Sequence, residues 1–61
     1  MKKHSFPTYL ESYSKAIESV NYWNNKKCTS VVKVSQSEKQ VLVVSESSNK
    51  VLEVFHYYRL F

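Results

Sequence analysis

The sequence predicts an α+β fold: one N-terminal amphipathic helix packed on a small antiparallel sheet, in the order α-β-β-β. Three observations carry this. Apolar residues recur at helical steps over the first third of the chain. Two β-branched runs and a Val/Phe/Tyr-rich segment follow, separated by polar breaks of turn length. The 61 residues have room for a single domain, 1–61.

The helix is predicted from about Thr8 to Trp23. Thr8-Tyr9-Leu10-Glu11 has the form of a capping box, with Thr8 as N-cap and Glu11 three residues on. Leu10, Tyr13, Ile17 and Val20 then form an apolar stripe, flanked by Tyr9 and Ala16, with Glu11, Lys15 and Glu18 opposite. Asn24-Asn25 supply a left-handed stop in a chain without glycine, and Lys26-Lys27 suit the negative end of the helix dipole.

Strands are predicted at Thr29–Ser35 and Gln40–Ser45, where valines dominate, joined as a hairpin through Gln36-Ser37-Glu38-Lys39. A second polar break, Glu46-Ser47-Ser48-Asn49, precedes Lys50–Phe61. Side chains such as Val, Phe and Tyr fit a pleated surface and lose χ1 freedom in a helix, which favours a third strand. Val51, Val54, Phe55 and Tyr58 also fall on one helical face, so α-β-β-α is the alternative topology.

Composition excludes much. With Cys28 the lone cysteine, no internal disulfide can form, and His4 and His56 are the only histidines, too few for a structural zinc site. The absence of glycine removes the phosphate-cradling loop, the dinucleotide fingerprint and the nucleophile elbow. No metal and no cofactor is expected. No apolar run is long enough to span a membrane, and the charged start lacks the apolar stretch of an export signal, so a cytoplasmic protein is expected. The net charge of +4 permits nucleic acid as a partner, but the lysines are scattered.

Catalysis is not expected. Aspartate is absent, and the five glutamates fall mostly at helix-surface or turn positions. A Cys28/His56 nucleophile pair is conceivable, since histidine activates thiolates. The parity of Cys28 with Val32 and Val34, and of His56 with Leu52 and Val54, reads instead as core lining.

Alternation assigns Val32, Val34, Leu52, Val54, Tyr58 and Leu60 to the side facing the helix. It leaves Val51, Phe55, Tyr57 and Phe61 on the outer side of the last strand, with Glu53 and Arg59 between them. One helix covers only one face of a small sheet, and a surplus apolar face marks an interaction site. The expected function is therefore a non-enzymatic binding module. Its partner is a protein or a second copy, met through Phe55, Tyr57, Arg59 and Phe61 with Val31 and Val51 alongside. The alternative is weak, sequence-indifferent nucleic-acid binding, with aromatics stacking on bases.

Overall fold

The computed structural model describes residues 2–61, and the following concerns these residues. Its elements are β1 (Lys2–Thr8), α1 (Tyr9–Asn25), β2 (Ser30–Ser35), β3 (Gln40–Ser45) and β4 (Val51–Arg59). The fold class is α+β, as predicted. The topology differs: a strand precedes the helix, and the four strands form one mixed sheet in the order β1-β4-β3-β2. β1 runs parallel to β4, whereas β2–β3 and β3–β4 are antiparallel. The last segment is a strand, which removes the two-helix alternative.

Local chemistry explains most boundaries. Thr8 is the N-cap in extended backbone (φ −123°, ψ 157°), and its Oγ1 accepts from the Glu11 N–H at 3.4 Å. β1 therefore passes into α1 with no intervening loop. At the other end the left-handed residue is Lys27 (φ 61°), not Asn24 or Asn25. The Cys28 N–H donates to the Trp23 carbonyl and the Lys27 N–H to that of Asn24, both at 3.0 Å. This is the Schellman arrangement, which satisfies carbonyls left over at a helix end. Asn24 has another role, for its Oδ1 accepts from the Ser30 N–H at 3.1 Å and so ties the start of β2 to the helix.

Each connection after the helix contains one left-handed residue: Lys27, Lys39 (φ 55°) and Asn49 (φ 59°). Asparagine tolerates this region because its short polar side chain bonds locally, while lysine bears the full Cβ clash. Lys39→Gly is therefore expected to raise stability by about 0.5–1 kcal/mol in urea unfolding, and Asn49→Gly by less. A loss of stability in Lys39→Gly would show that its side chain contributes more than its backbone strain costs.

The core lies between α1 and one face of the sheet. Ala16, Val41, Val43, Phe55 and Tyr57 are its buried members, with Phe6, Tyr9, Val20, Trp23, Val32 and Leu52 packed around them. Two expectations are corrected here. The helix turns Ser12, Ala16 and Ser19 to the sheet, while Leu10 is 70% exposed and Tyr13 and Ile17 lie at the surface. These small residues let the helix sit close to large side chains rising from the sheet. Ser12 also donates its hydroxyl to the His56 carbonyl at 3.0 Å, removing the usual cost of a buried polar group. Second, the faces of β4 are exchanged: Phe55 and Tyr57 point at the helix, and Val54, His56 and Tyr58 point away.

The cause of that exchange is Glu53, which shares the inner face with Phe55 and Tyr57. A carboxylate at such a position normally marks the wet side of a strand. Here it is only 8% exposed, and three donors meet it. Ser19 donates its hydroxyl to Oε2, Trp23 donates Nε1–H to the same oxygen at 2.9 Å, and His4 Nε2 lies 2.9 Å from Oε1. A bond to each of helix, neighbouring strand and indole makes the inward position tolerable.

Candidate functional site

Among the described residues no second helix or strand covers the other face of the sheet. The strand register lays out its residues in rows. Val31, Val44 and Val51 pair across β2, β3 and β4. Lys33, Leu42, Val54 and Lys3 form the next row, across all four strands, followed by Ser35, Gln40, His56 and Ser5. Tyr58 ends the series on β4, its ring edge-on to His56 with centroids 5.2 Å apart. One half of the face is thus a block of Val31, Leu42, Val44, Val51 and Val54, in which Val44 and Val54 are buried by their neighbours, Val31 and Leu42 are half-buried and Val51 is exposed. The other half is polar.

Val51 belongs to this block because the strand is irregular. The pairing of β3 with β4 shifts register between Val43 and Val44, leaving Leu52 as an extra residue between paired Val51 and Glu53. Such a bulge breaks strict alternation. Leu52 turns to the core with Glu53, and Val51 returns to the side opposite Phe55 and Tyr57.

The six residues singled out from the sequence therefore do not form one surface. Val31 and Val51 share the open face. Phe55 (4% exposed) and Tyr57 (2%) are core residues, so the expectation that they are available to a partner is overturned by burial. Arg59 ends β4 opposite Thr8, and Phe61 lies beyond the strand, fully in solvent. Sequence reasoning missed Leu42, Val44 and Val54 as members of the open face. The signal was present in the two-sided apolar character of Gln40–Ser45, which marks a central strand with both faces committed.

The charge of the open face is one-sided. Lys3 and Lys33 flank the apolar block on opposite edges. None of the five glutamates occupies a strand position there: Glu11 and Glu18 are on α1, Glu38 and Glu46 are in turns, and Glu53 faces the helix. Beyond Tyr58 the face ends in a cleft of about 500 Å³, which adds Lys39 and Arg59 to the positive groups.

A second cleft, about 660 Å³, opens between β1 and α1 over His4, Ser19 and Glu53. Its residue types are those of a hydrolytic site, but its connectivity is not. Ser19 and His4 both bond to the carboxylate, whereas nucleophile activation needs the imidazole to accept the hydroxyl proton. Burial pushes the Glu53 carboxyl up. The bonds from Ser19, Trp23 and His4, with the charge of His4, outweigh it and hold Glu53 below its ordinary value. An ionised carboxylate that accepts from three donors on two other elements is a structural centre.

The remaining pair considered for chemistry is not assembled either. Cys28 lies half-buried in the connection after α1, and His56 is on the open face against Tyr58, with no hydrogen bond between them. Among the described residues no group of three histidine, cysteine or acidic side chains is placed to hold a metal ion. No helix among them is long and apolar enough to cross a membrane.

Comparison with protein-family models, curated proteins and solved structures returned no match.

Proposed function

We propose that the protein is a small non-enzymatic binding module that acts by contact with another protein through the open face of its sheet. The observation that carries this reading is the apolar rows on the sheet face that α1 leaves uncovered. There Val51 is 37% exposed, Val31 and Leu42 are half-buried over the buried Val44 and Val54, and Lys3 and Lys33 stand at the borders. Burying apolar side chains drives association at about 25 cal/mol per Å² removed from water. The lysines, with no opposing carboxylate on the strands of that face, select a partner whose contact surface is apolar at its centre and acidic at its rim. An inhibitor, adaptor or assembly factor would use such a surface. No cofactor enters this reading, and the unpaired Cys28 thiol suits a reducing, cytoplasmic setting.

One observation favours a second reading, weak binding of single-stranded nucleic acid. His56 and Tyr58 stand together on the same face, with Lys39 and Arg59 at its end, a pairing of stacking rings and phosphate-binding cations.

Capture of partners from lysate by wild type, by Val51→Glu/Tyr58→Glu and by Leu10→Glu/Ile17→Glu tests the face. Both doublets change exposed side chains, so the fold should survive in each. Capture lost only with the first doublet supports the open face, and equal capture by all three rules it out. Salt separates the two readings. Contact centred on valines persists between about 50 and 200 mM salt, whereas phosphate binding through several lysines weakens by orders of magnitude.

A further inference from the structure

The two edges of the sheet are built differently. β1 carries Lys2, Lys3 and Pro7, and charge and proline are devices that discourage a further strand from pairing. β2 has neither proline nor acidic residues, a single charge at Lys33, and three valines in six residues. It is in unbroken register with β3 throughout, the irregularity lying on the other side of β3. Val31 and Val32 are half-buried and Val34 is 40% exposed, so apolar surface stands at an edge whose outward N–H and C=O groups have no strand beside them.

We propose that β2 is a dimerisation edge, pairing antiparallel with β2 of a second copy to make a continuous eight-stranded sheet. The choice of a second copy comes from the sequence of the strand. A twofold axis perpendicular to the sheet sets helix-side residues opposite helix-side residues, so the register must centre on a residue. Only centres at Val32 and Lys33 pair most of the strand. Centring on Lys33 opposes two like charges, which destabilises a cross-strand pair. Centring on Val32 sets Val32 against Val32 of the second copy, Val31 against its Lys33, and Ser30 against its Val34. In that register each lysine lies along a valine and no like charges meet.

The pairing also extends what each copy already has. On the helix side the two Val32 side chains meet beside Val43 of each copy. On the open side the row Val51–Val44–Val31 runs on into Lys33, Leu42 and Val54 of the second copy. The edge borders the open face, sharing Val31 and Lys33 with it, but the pairing is made through the backbone of β2 and does not depend on the proposed use of that face.

The test combines sedimentation equilibrium of the full chain over a hundredfold concentration range with oxidative cross-linking. Wild type is expected to show a concentration-dependent dimer. Val31→Lys sets lysine against Lys33 of the other copy and weakens it. Val31→Glu sets opposite charges together and strengthens it, so the two dissociation constants differ roughly tenfold or more. In a Cys28→Ser background, Val32→Cys is expected to form a disulfide-linked dimer readily, because directly opposed positions lie within disulfide reach. Lys33→Cys, displaced along the strand from its own copy, is expected to do so poorly.

A strict monomer overturns the proposal. So does a dimer that both Val31 variants weaken, the pattern expected if the open faces meet instead. Failure of Val32→Cys to outpace Lys33→Cys overturns it as well. That near-isosteric change decides the question even if a charged residue at position 31 unfolds the chain.

Discussion

Replacing Phe55 and Tyr57 together by alanine is expected to leave no cooperatively folded protein. The two rings lie at the centre of the contact between β4 and α1, at 4% and 2% exposure. Phe55 stacks on His4, with ring centroids 4.6 Å apart, and lies 6.2 Å from Phe6. Tyr57 meets Tyr9 edge-on at 5.2 Å. Removing one buried aromatic side chain costs about 3–5 kcal/mol, counting lost transfer energy and the cavity left behind. A domain of this length rarely has more than roughly 3–5 kcal/mol in total, so either substitution alone comes close to unfolding it. The control is the neighbouring residue. Tyr58 is 60% exposed on the opposite face, and Tyr58→Ala is expected to change stability by less than about 0.5 kcal/mol. Circular dichroism with urea titration of the three proteins decides the matter. A double variant that unfolds cooperatively, near the wild-type midpoint, would mean that these rings face solvent and that β4 is turned over.

That outcome bears on what the sequence disclosed. The N-cap at Thr8, the span of the helix and the strands after it follow from local signals: a capping residue, a change of hydrophobic period, β-branched runs. Three features did not follow from them. β1 was missed because Lys2, Lys3 and Pro7 are marks of an edge strand and weaken the strand signal. Its inward pair, His4 and Phe6, has meaning only beside Phe55 and Tyr57 on a distant strand. The helix face was misplaced because hydrophobicity favours Leu10, Tyr13 and Ile17, whereas close packing favours Ser12, Ala16 and Ser19. The buried face of β4 is not legible locally because Glu53 shares it with Phe55 and Tyr57, whereas alternation favours the more apolar row of Leu52, Val54, Tyr58 and Leu60. Ser19, Trp23 and His4 supply the donors that make Glu53 an inner residue, and they lie 34, 30 and 49 residues from it along the chain, respectively. A residue with hydrogen-bonding capacity is inward or outward according to its partners, and partners far apart in sequence leave no periodic trace.

Glu53 consequently has to be counted among the elements that hold the fold together. It links β4 to β1 through His4 and to α1 through Ser19 and Trp23, in a chain whose lone cysteine excludes an internal disulfide. Glu53→Ala leaves a buried hydroxyl, an indole N–H and an imidazole without their acceptor, and is expected to cost about 3–5 kcal/mol. Glu53→Gln keeps the shape and one acceptor oxygen and is expected to cost less. The pH dependence has a definite sign. The folded-state pKa of Glu53 lies below the ordinary value of 4.5, so the unfolded chain takes up the proton first as pH falls. The stability due to ionised Glu53 is full above about pH 4.5 and is lost as pH drops through the folded value. Urea midpoints of wild type and Glu53→Gln should therefore stand well apart at neutral pH and converge in acid. Glu18, which lines the same cleft, is present in both proteins and cancels in the comparison. A gap that has not narrowed once the pH is low enough to protonate Glu53 in the folded protein would show that the carboxylate is not what the three donors recognise. Convergence would identify Glu53 as the group that fixes which face of β4 is buried, and hence which residues remain on the open face for a partner.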